Sequence, residues 1–554
     1  MILSKRYKLN KDSLVLLLAF LVGLHPLLIA QTFGIWPPLT MVAEIFGAQF
    51  AMFPLMYLDF HYAQTGAAYF TILTTLPSAA AHAASIVLQP FQQQHLFCVM
   101  FYLLHACLVA AIVSWSLRCG ISRRISLSLL LVPISTAALQ PVSVFGMMIN
   151  YNKATELLLM IAVILVWRWL SRDPVANRLH TRTLVLLGGL CGLAMGIKFS
   201  YIIFLGPLFA LAILRPENGI GMNFRNLAKF TAIAVLSFFF FLAASMFFDP
   251  RRISLFIKQQ SSIYGAGWAS QNTPFLLHEF LLSFGPNSYY FALQILFIVY
   301  LVLFTGTCIW VIRSGDRRVQ IFLWAQVLII AGLCYLFWVR RAQGTMIDIS
   351  LYLVFGSLIL ASLLARVSGL KKVATCIVLP LCFGVFLAGE RISLKALSKN
   401  SAIARELEVF RGISPDLPVI YYMQGLSQPI LFPSPYIFAI TGSAASPSRE
   451  KYLHRFYPEI RMADPDKGVV KGRHLAIIPE YLDLLPVTAE TRKEWPDAWP
   501  EVAPLVRGPL ADVIKFRDAA GDCREFQFLE VQNRRWLLYF ASYAHKITAC
   551  WISD

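Results

Sequence analysis

Residues 321–365 read "IFLWAQVLIIAGLCYLFWVRRAQGTMIDISLYLVFGSLILASLLA". Two apolar runs stand on either side of a short polar turn that begins with Arg340 and Arg341. A helix needs about 20 apolar residues to cross a bilayer, and each run is close to that length. The stretch therefore reads as two membrane-crossing helices joined by a basic turn. Arginine is common in cytoplasmic turns and scarce in external ones. The side on which this turn lies decides what the two arginines are for.

Working outward, the same pattern repeats. The chain has 554 residues, is 58% hydrophobic and has a mean hydropathy of +0.63. Apolar segments fall near 13–33, 96–117, 127–148, 154–170, 183–214, 230–248, 288–312, 319–338, 347–365 and 373–389. The first is too long for the core of a signal peptide and is expected to stay as a helix. The 183–214 segment would be about 48 Å long as one helix. It carries Lys198 near its middle, and two short helices meeting at Lys198 fit better. That gives a mainly α polytopic membrane protein of about eleven spans.

Charge then sets direction. Residues 1–390 hold 27 Lys and Arg against 11 Asp and Glu, a balance of +16, while residues 391–554 hold 21 against 19. The excess thus lies in loops between apolar segments, which argues against a nucleic-acid surface. With the N-terminus in the cytoplasm, 20 of the 27 fall inside. The seven outside are Lys153, Lys198, Arg251, Arg252, Lys258, Arg340 and Arg341. The basic turn of the opening stretch is therefore external, and residues 391–554 are external too.

Two outer loops are long. The first, about 34–95, has no Lys or Arg and two acids, Glu44 and Asp59. Its apolar character fits interfacial helices on the outer leaflet. The second, 249–287, is amphipathic in "ISLFIKQQSSIY" and broken by "GAGW". Residues 391–554 form a separate extracytoplasmic domain of α/β or α+β type. It starts helix-like and continues through short strand-like runs, "PVIYYM", "YIFAITG", "HLAIIP", "FQFLEV" and "WLLYFASY". Its two cysteines, Cys523 and Cys550, can pair in an oxidising compartment. Spacing alone does not establish that bond. No Asn-X-Ser/Thr sequon occurs, which favours a bacterial periplasm.

The candidate chemistry lies in the outer charges. An ionisable group at membrane depth is costly and is a functional hypothesis by default. Lys198 either snorkels to the interface or meets an anionic headgroup. Arg340 and Arg341 either touch lipid phosphate generally or grip one phosphate with arginine's planar fork. Lys153 either binds substrate or pairs with Glu156 three residues on. A carboxylate at an apolar interface suits a general base, which makes Glu44 and Asp59 candidates. Asp59 stands among aromatic residues and His61 in "YLDFHY". His61, His82 and His95 have no metal-site spacing, and no nucleotide-binding or hydrolase motif is present. An external reaction without nucleotides needs a donor already activated in the lipid.

Several stretches carry a family resemblance. "YLDFHYAQTGAAYFTILTTLP", "GGLCGLAMGIKFSYIIFLGPLFAL" and "VRRAQGTMIDISLYLVFGSLIL" resemble segments of the GT-C superfamily of integral-membrane glycosyltransferases. The resemblance covers most of residues 1–390. It implies a GT-C-like catalytic bundle over 1–390 and the external domain over 391–554. It implies an inverting glycosyltransferase of a bacterial inner membrane, acting on the outer face. The donor would be a polyprenyl-phosphate sugar, used as a substrate with no other cofactor. The acceptor would be a glycan, lipid or protein. In this resemblance Glu44 or Asp59 is the base, with Asp59 better matched by its surroundings. It implies that Lys198, Arg340 and Arg341 contact donor phosphate; Lys153 and His61 are further substrate-binding candidates from the residue reading alone. The common Asp-Glu pair is absent, so the base and any metal dependence stay open. Two other classes remain, a lipid or glycolipid transporter and a non-catalytic membrane scaffold.

Overall fold

The computed structural model describes residues 11–32, 90–138, 152–171, 181–197, 201–214, 219–245, 289–340, 345–367, 418–422, 460–463, 470–481, 520–527 and 544–552, with scattered positions in 76–88, 248–254 and 406–409. The helices are α1 (Lys11–Thr32), α2 (Pro90–Arg118), α3 (Arg123–Ser128), α4 (Leu131–Ala138), α5 (Asn152–Leu170), α6 (Thr181–Ile197), α7 (Ile202–Ile213), α8 (Ile220–Ser245), α9 (Tyr289–Ser314), α10 (Arg317–Arg340) and α11 (Thr345–Val367). Among the described residues, four stretches are long and apolar enough to cross a membrane: Lys11–Leu28, Leu96–Arg118, Ile220–Ala244 and Ile295–Ser314. The protein is thus mainly helical, with helices of membrane-spanning type. The expected span 373–389 lies outside the described residues, as does most of both long outer loops.

Two features of the apolar pattern were decided by backbone chemistry. The 183–214 segment is interrupted where expected, with α6 ending at Ile197 and α7 starting at Ile202. The 127–148 segment does not begin as one helix. It starts as α3 and α4, divided by a turn at Leu129–Leu130. Pro133 lacks the N–H that would reach the carbonyl of Leu129. The N–H of Val132 takes that carbonyl instead, at 3.1 Å, so the chain tightens and restarts.

The helix directions can be read from specific contacts. A Cβ on Gly23 would lie 2.6 Å from Ala106 Cα, and Asp12 pairs with Arg123, so α1 and α2 run antiparallel. Glu156 lies by His105, and the Arg168 guanidinium is 3.6 Å from Cys119 Sγ, so α5 runs parallel to α2. Gly188 sits against Ile233 and Gly192 against Ala234, Ser237 and Phe238, so α6 and α8 run parallel. Gly356 sits against Tyr300 and Gly306 against Leu364, so α9 and α11 run parallel. Small residues allow these close approaches, as membrane helix packing requires.

These directions gather basic residues at one end of the bundle. Lys11, Arg118, Arg123, Arg168, Arg317 and Arg318 all stand there. Arg318 is buried there; its guanidinium donates to the Trp169 carbonyl at 2.8 Å, and Trp169 Nε1 donates to the Leu214 carbonyl at 2.8 Å. The ends of α5 and α7 and the start of α10 are thereby tied together. On α8, Phe224, Leu236 and Phe240 are exposed. An apolar exposed face suits a helix that meets lipid.

The C-terminal region contains a five-stranded sheet. Its strands are β1 (Val419–Tyr422), β2 (Ile460–Ala463), β3 (His474–Tyr481), β4 (Ala520–Gln527) and β5 (Ala544–Ile552), in the order β2-β1-β3-β5-β4. The β2-β1-β3 pairings are parallel and the β3-β5-β4 pairings antiparallel. The runs "PVIYYM" and "HLAIIP" coincide with β1 and β3. Of "FQFLEV", Phe526 and Gln527 lie at the end of β4, which begins earlier, over "AGDCREFQ", and the remaining residues lie outside the described ones. β2 and β5 fall where no strand is expected from the sequence. "YIFAITG" and "WLLYFASY" lie outside the described residues. Cys523 and Cys550 face each other across β4 and β5 and are disulfide-bonded, with Cα atoms 4.1 Å apart.

Candidate functional site

The end of the bundle opposite the basic cluster holds the interrupted and turning elements. α5 starts there, α6 ends there, α7 starts there, α10 ends there and α11 starts there. Two contacts bring the start of α7 against α10 and α11. A Cβ on Gly332 of α10 would lie 2.7 Å from Ile203, the second residue of α7. The Phe204 ring of α7 packs on the Tyr352 ring of α11, with centroids 6.3 Å apart. Tyr352 is seven residues past the start of α11, and Gly332 is eight before Arg340, or about 12 Å along the helix.

The sequence candidates distribute as follows. Lys198 follows α6 directly and lies outside the described residues, as do Arg341, Glu44, Asp59 and His61. Arg340 is the last residue of α10. Lys153 is the second residue of α5 and is 1% exposed. Its Nζ donates to Glu156 Oε1 at 2.9 Å. The i,i+3 pair offered as the alternative for Lys153 is therefore formed.

That pair belongs to a larger buried group. His105 of α2 is 1% exposed and Glu156 is fully buried. His105 Nε2 lies 3.2 Å from Glu156 Oε2, and His105 Nδ1 lies 3.1 Å from the Gly23 carbonyl of α1. The local sequence makes this possible. Gly23 has no Cβ, so α1 can approach the backbone of Ala106 closely. Pro26 lacks an N–H for the Val22 carbonyl, and His25 Nδ1 takes that carbonyl at 2.6 Å. The result is an ion-pair cluster shared by three helices and removed from water. Charged groups so placed are costly unless paired and hydrogen-bonded.

A second polar group lies between α9, α10 and α11. Tyr300 OH donates to Gln326 Oε1 at 3.2 Å, and Tyr352 OH donates to the same oxygen. Gln326 Nε2 and Ser357 Oγ are buried without a hydrogen-bond partner among the described residues. Reading the sequence alone missed His105 and Gln326. The signal was present, since both are polar residues inside apolar runs, "FYLLHACLVA" and "IFLWAQVLII".

In the sheet, His474 is buried at the start of β3, and its Nδ1 lies 2.6 Å from the Gly472 carbonyl. Gly472 has φ of 100°, a conformation open to glycine. Burial lowers the His474 pKa below its ordinary value, with the Gly472 hydrogen bond opposing the shift.

Comparison of the chain with protein families, characterised proteins and solved structures finds no match.

Proposed function

We propose that this protein transfers a sugar from a polyprenyl-phosphate donor to an acceptor hydroxyl on the outer face of a bacterial inner membrane. The observation that carries the reading is that Ile203 and Phe204, at the start of α7, pack on Gly332 of α10 and Tyr352 of α11, toward the end of the bundle where α6 and α10 end. Lys198 follows α6, Arg340 ends α10 and Arg341 comes next in the chain. The opposite end is rich in Lys and Arg, which agrees with a cytoplasmic assignment for that side. The Cys523–Cys550 bond supports an oxidising compartment for the C-terminal region. Lys198 and the arginine pair hold the donor phosphate. Glu44 or Asp59 takes the proton of the acceptor hydroxyl as its oxygen attacks the anomeric carbon. The carbon–phosphate oxygen bond breaks, and polyprenyl phosphate departs with the electron pair. It needs little protonation, so a single base suffices.

The buried Lys153–Glu156–His105 cluster favours a second reading, a transporter of lipid-linked sugar. Transporters place ionisable groups inside the bundle and interrupt helices near their substrate. Proteoliposomes with a radiolabelled polyprenyl-phosphate sugar separate the two. Label appearing on a new glycoconjugate supports transfer, and intact donor crossing the bilayer supports transport. For transfer, Lys198→Ala and an Arg340/Arg341 double alanine each weaken donor binding tenfold or more. A buried charged hydrogen bond contributes on the order of 1.5–3 kcal/mol, which sets that factor. Unchanged donor affinity in both variants rejects the phosphate site.

A further inference from the structure

We propose that the exposed face of α8 binds an anionic phospholipid, with the lipid phosphate at Arg225 and Lys229 and an acyl chain along Leu236 and Phe240. The inference needs only that α8 lies in a bilayer and is independent of the sugar-transfer reading. Among the four stretches of membrane-spanning type, the one on α8 has the smallest buried share, 17%. One side of α8 is occupied by α6: Ile233, Ala234, Ser237 and Phe238 lie against Gly188 and Gly192. At 3.6 residues per turn, the side turned away from α6 carries Arg225, Lys229, Ala232, Leu236, Phe239 and Phe240 as one stripe. All six are exposed, Leu236 at 69% and Phe240 at 59%.

The stripe changes character along the helix. α6 ends away from the basic cluster and α8 runs parallel to it, so α8 starts at the basic end. Arg225 and Lys229 stand there one turn apart, about 6 Å along the axis. Neither forms an ion pair among the described residues, and α8 contains no Asp or Glu. From Lys229 the apolar part of the stripe runs to Phe240, about 16 Å along the axis. Half the hydrocarbon core of a bilayer is about 15 Å thick. The face thus presents two cations at headgroup level and then one leaflet's depth of apolar surface, in the order in which a phospholipid presents its phosphate and its chains.

Charge selects the occupant. A zwitterionic lipid brings its own cation to the site, whereas an anionic one offsets Arg225 and Lys229 without adding another. A second copy of the chain pairing through the same face about a two-fold axis would gather four cations and no acid. A lipid held there covers the open side of the α6–α8 pair and fixes its depth at the basic end.

The test uses the full chain in phosphatidylcholine vesicles at low salt, with a photoactivatable group in the tail of a probe lipid. The probe is phosphatidylglycerol, phosphatidylcholine or a polyprenyl phosphate, and peptide mapping reads the labelling of α8. Each Lys or Arg near a membrane surface strengthens the attraction of an anionic lipid roughly fivefold. The phosphatidylglycerol probe should therefore label α8 about ten times more than the phosphatidylcholine probe or better. Arg225→Gln/Lys229→Gln should bring that ratio close to one. If the double variant does not fold, about 1 M salt must bring the same loss in the parent, because it shortens the screening length to about 3 Å. Equal labelling by the two phospholipid probes in the parent overturns the proposal, as does a preference that survives both the double variant and salt. Stronger labelling by the polyprenyl phosphate than by phosphatidylglycerol, or cross-linking of α8 to a second copy, also overturns it.

Discussion

Removing the carboxylate of Glu156 leaves Lys153 as an uncompensated cation in a place without water. Lys153 is 1% exposed and its Nζ is 2.9 Å from Glu156 Oε1. Breaking such a buried pair from one side costs about 3–5 kcal/mol. At about 1.4 kcal/mol per decade, Glu156→Leu should lower the folding equilibrium constant by roughly two to four decades. Removing both charges is different, because apolar replacements of similar volume leave no uncompensated charge, only His105 Nε2 facing an apolar side chain. The Lys153→Met/Glu156→Leu double variant should therefore be more stable than Glu156→Leu alone. The assay is reversible unfolding in mixed micelles by added SDS, followed by tryptophan fluorescence, as a full double-mutant cycle. The reasoning fails if Glu156→Leu unfolds within about 0.5 kcal/mol of the parent, the range of an ordinary surface change. It also fails if the double variant is less stable than both single variants.

Three further outcomes follow from the geometry. A Cβ on Gly192 would meet Ala234 O at 2.5 Å and Phe238 N at 2.7 Å, whereas one on Gly189 meets nothing within 4 Å. Gly192→Ala should cost about 1–3 kcal/mol in the same unfolding assay, and Gly189→Ala should not destabilise. His474 has its pKa lowered by burial, so the unfolded chain binds more protons as pH falls through about 6.5. The histidine's contribution is present above that pH and lost below it, and His474→Gln should flatten the acid side of the sheet's stability profile. The Cys523–Cys550 bond closes a loop with a sequence separation of 27, which the chain-entropy estimate values at about 3.5 kcal/mol. Non-reducing peptide mapping should recover the linked pair, and a Cys523→Ala/Cys550→Ala double variant should loosen β4 and β5 to hydrogen exchange.

Helices were legible in the sequence wherever a run was long and uniformly apolar. The boundaries of α9, α10 and α11 fall within two residues of such runs, while α2 starts at Pro90, six residues before its run. The break at Lys198 was also legible, because the run was too long for one crossing and carried a charge. The turn between α3 and α4 was not. It depends on one missing N–H at Pro133 within a run that stays apolar throughout. The strands β2 and β5 were missed for another reason. "IRMA" is short and "AHKITACWI" mixes Lys and Thr with apolar residues, so neither shows a clean two-residue alternation. β4 lies at an end of the described sheet, where charge is tolerated and Asp522, Arg524 and Glu525 are exposed. The candidate site divides in the same way. Lys153 with Glu156 was readable as a local pair, since three residues on a helix share a face. His105 joins it from 51 residues away by way of Gly23 and the Pro26 position, a meeting that only the packing of α1 on α2 creates.

The central claim concerns bond transfer by a base in the first outer loop. The most direct measurement supplies radiolabelled polyprenyl-phosphate sugar and an acceptor fraction to the purified protein, its Asp59→Asn variant and its Glu44→Gln variant. Each amide keeps the shape of the acid and removes its basicity. General-base catalysis contributes roughly 10²–10⁴ in rate, so one variant should lose turnover by that factor while binding donor normally. Asp59 is the expected one. Parent protein that moves no label to any acceptor, or two amide variants that transfer at the parent rate, contradicts the account.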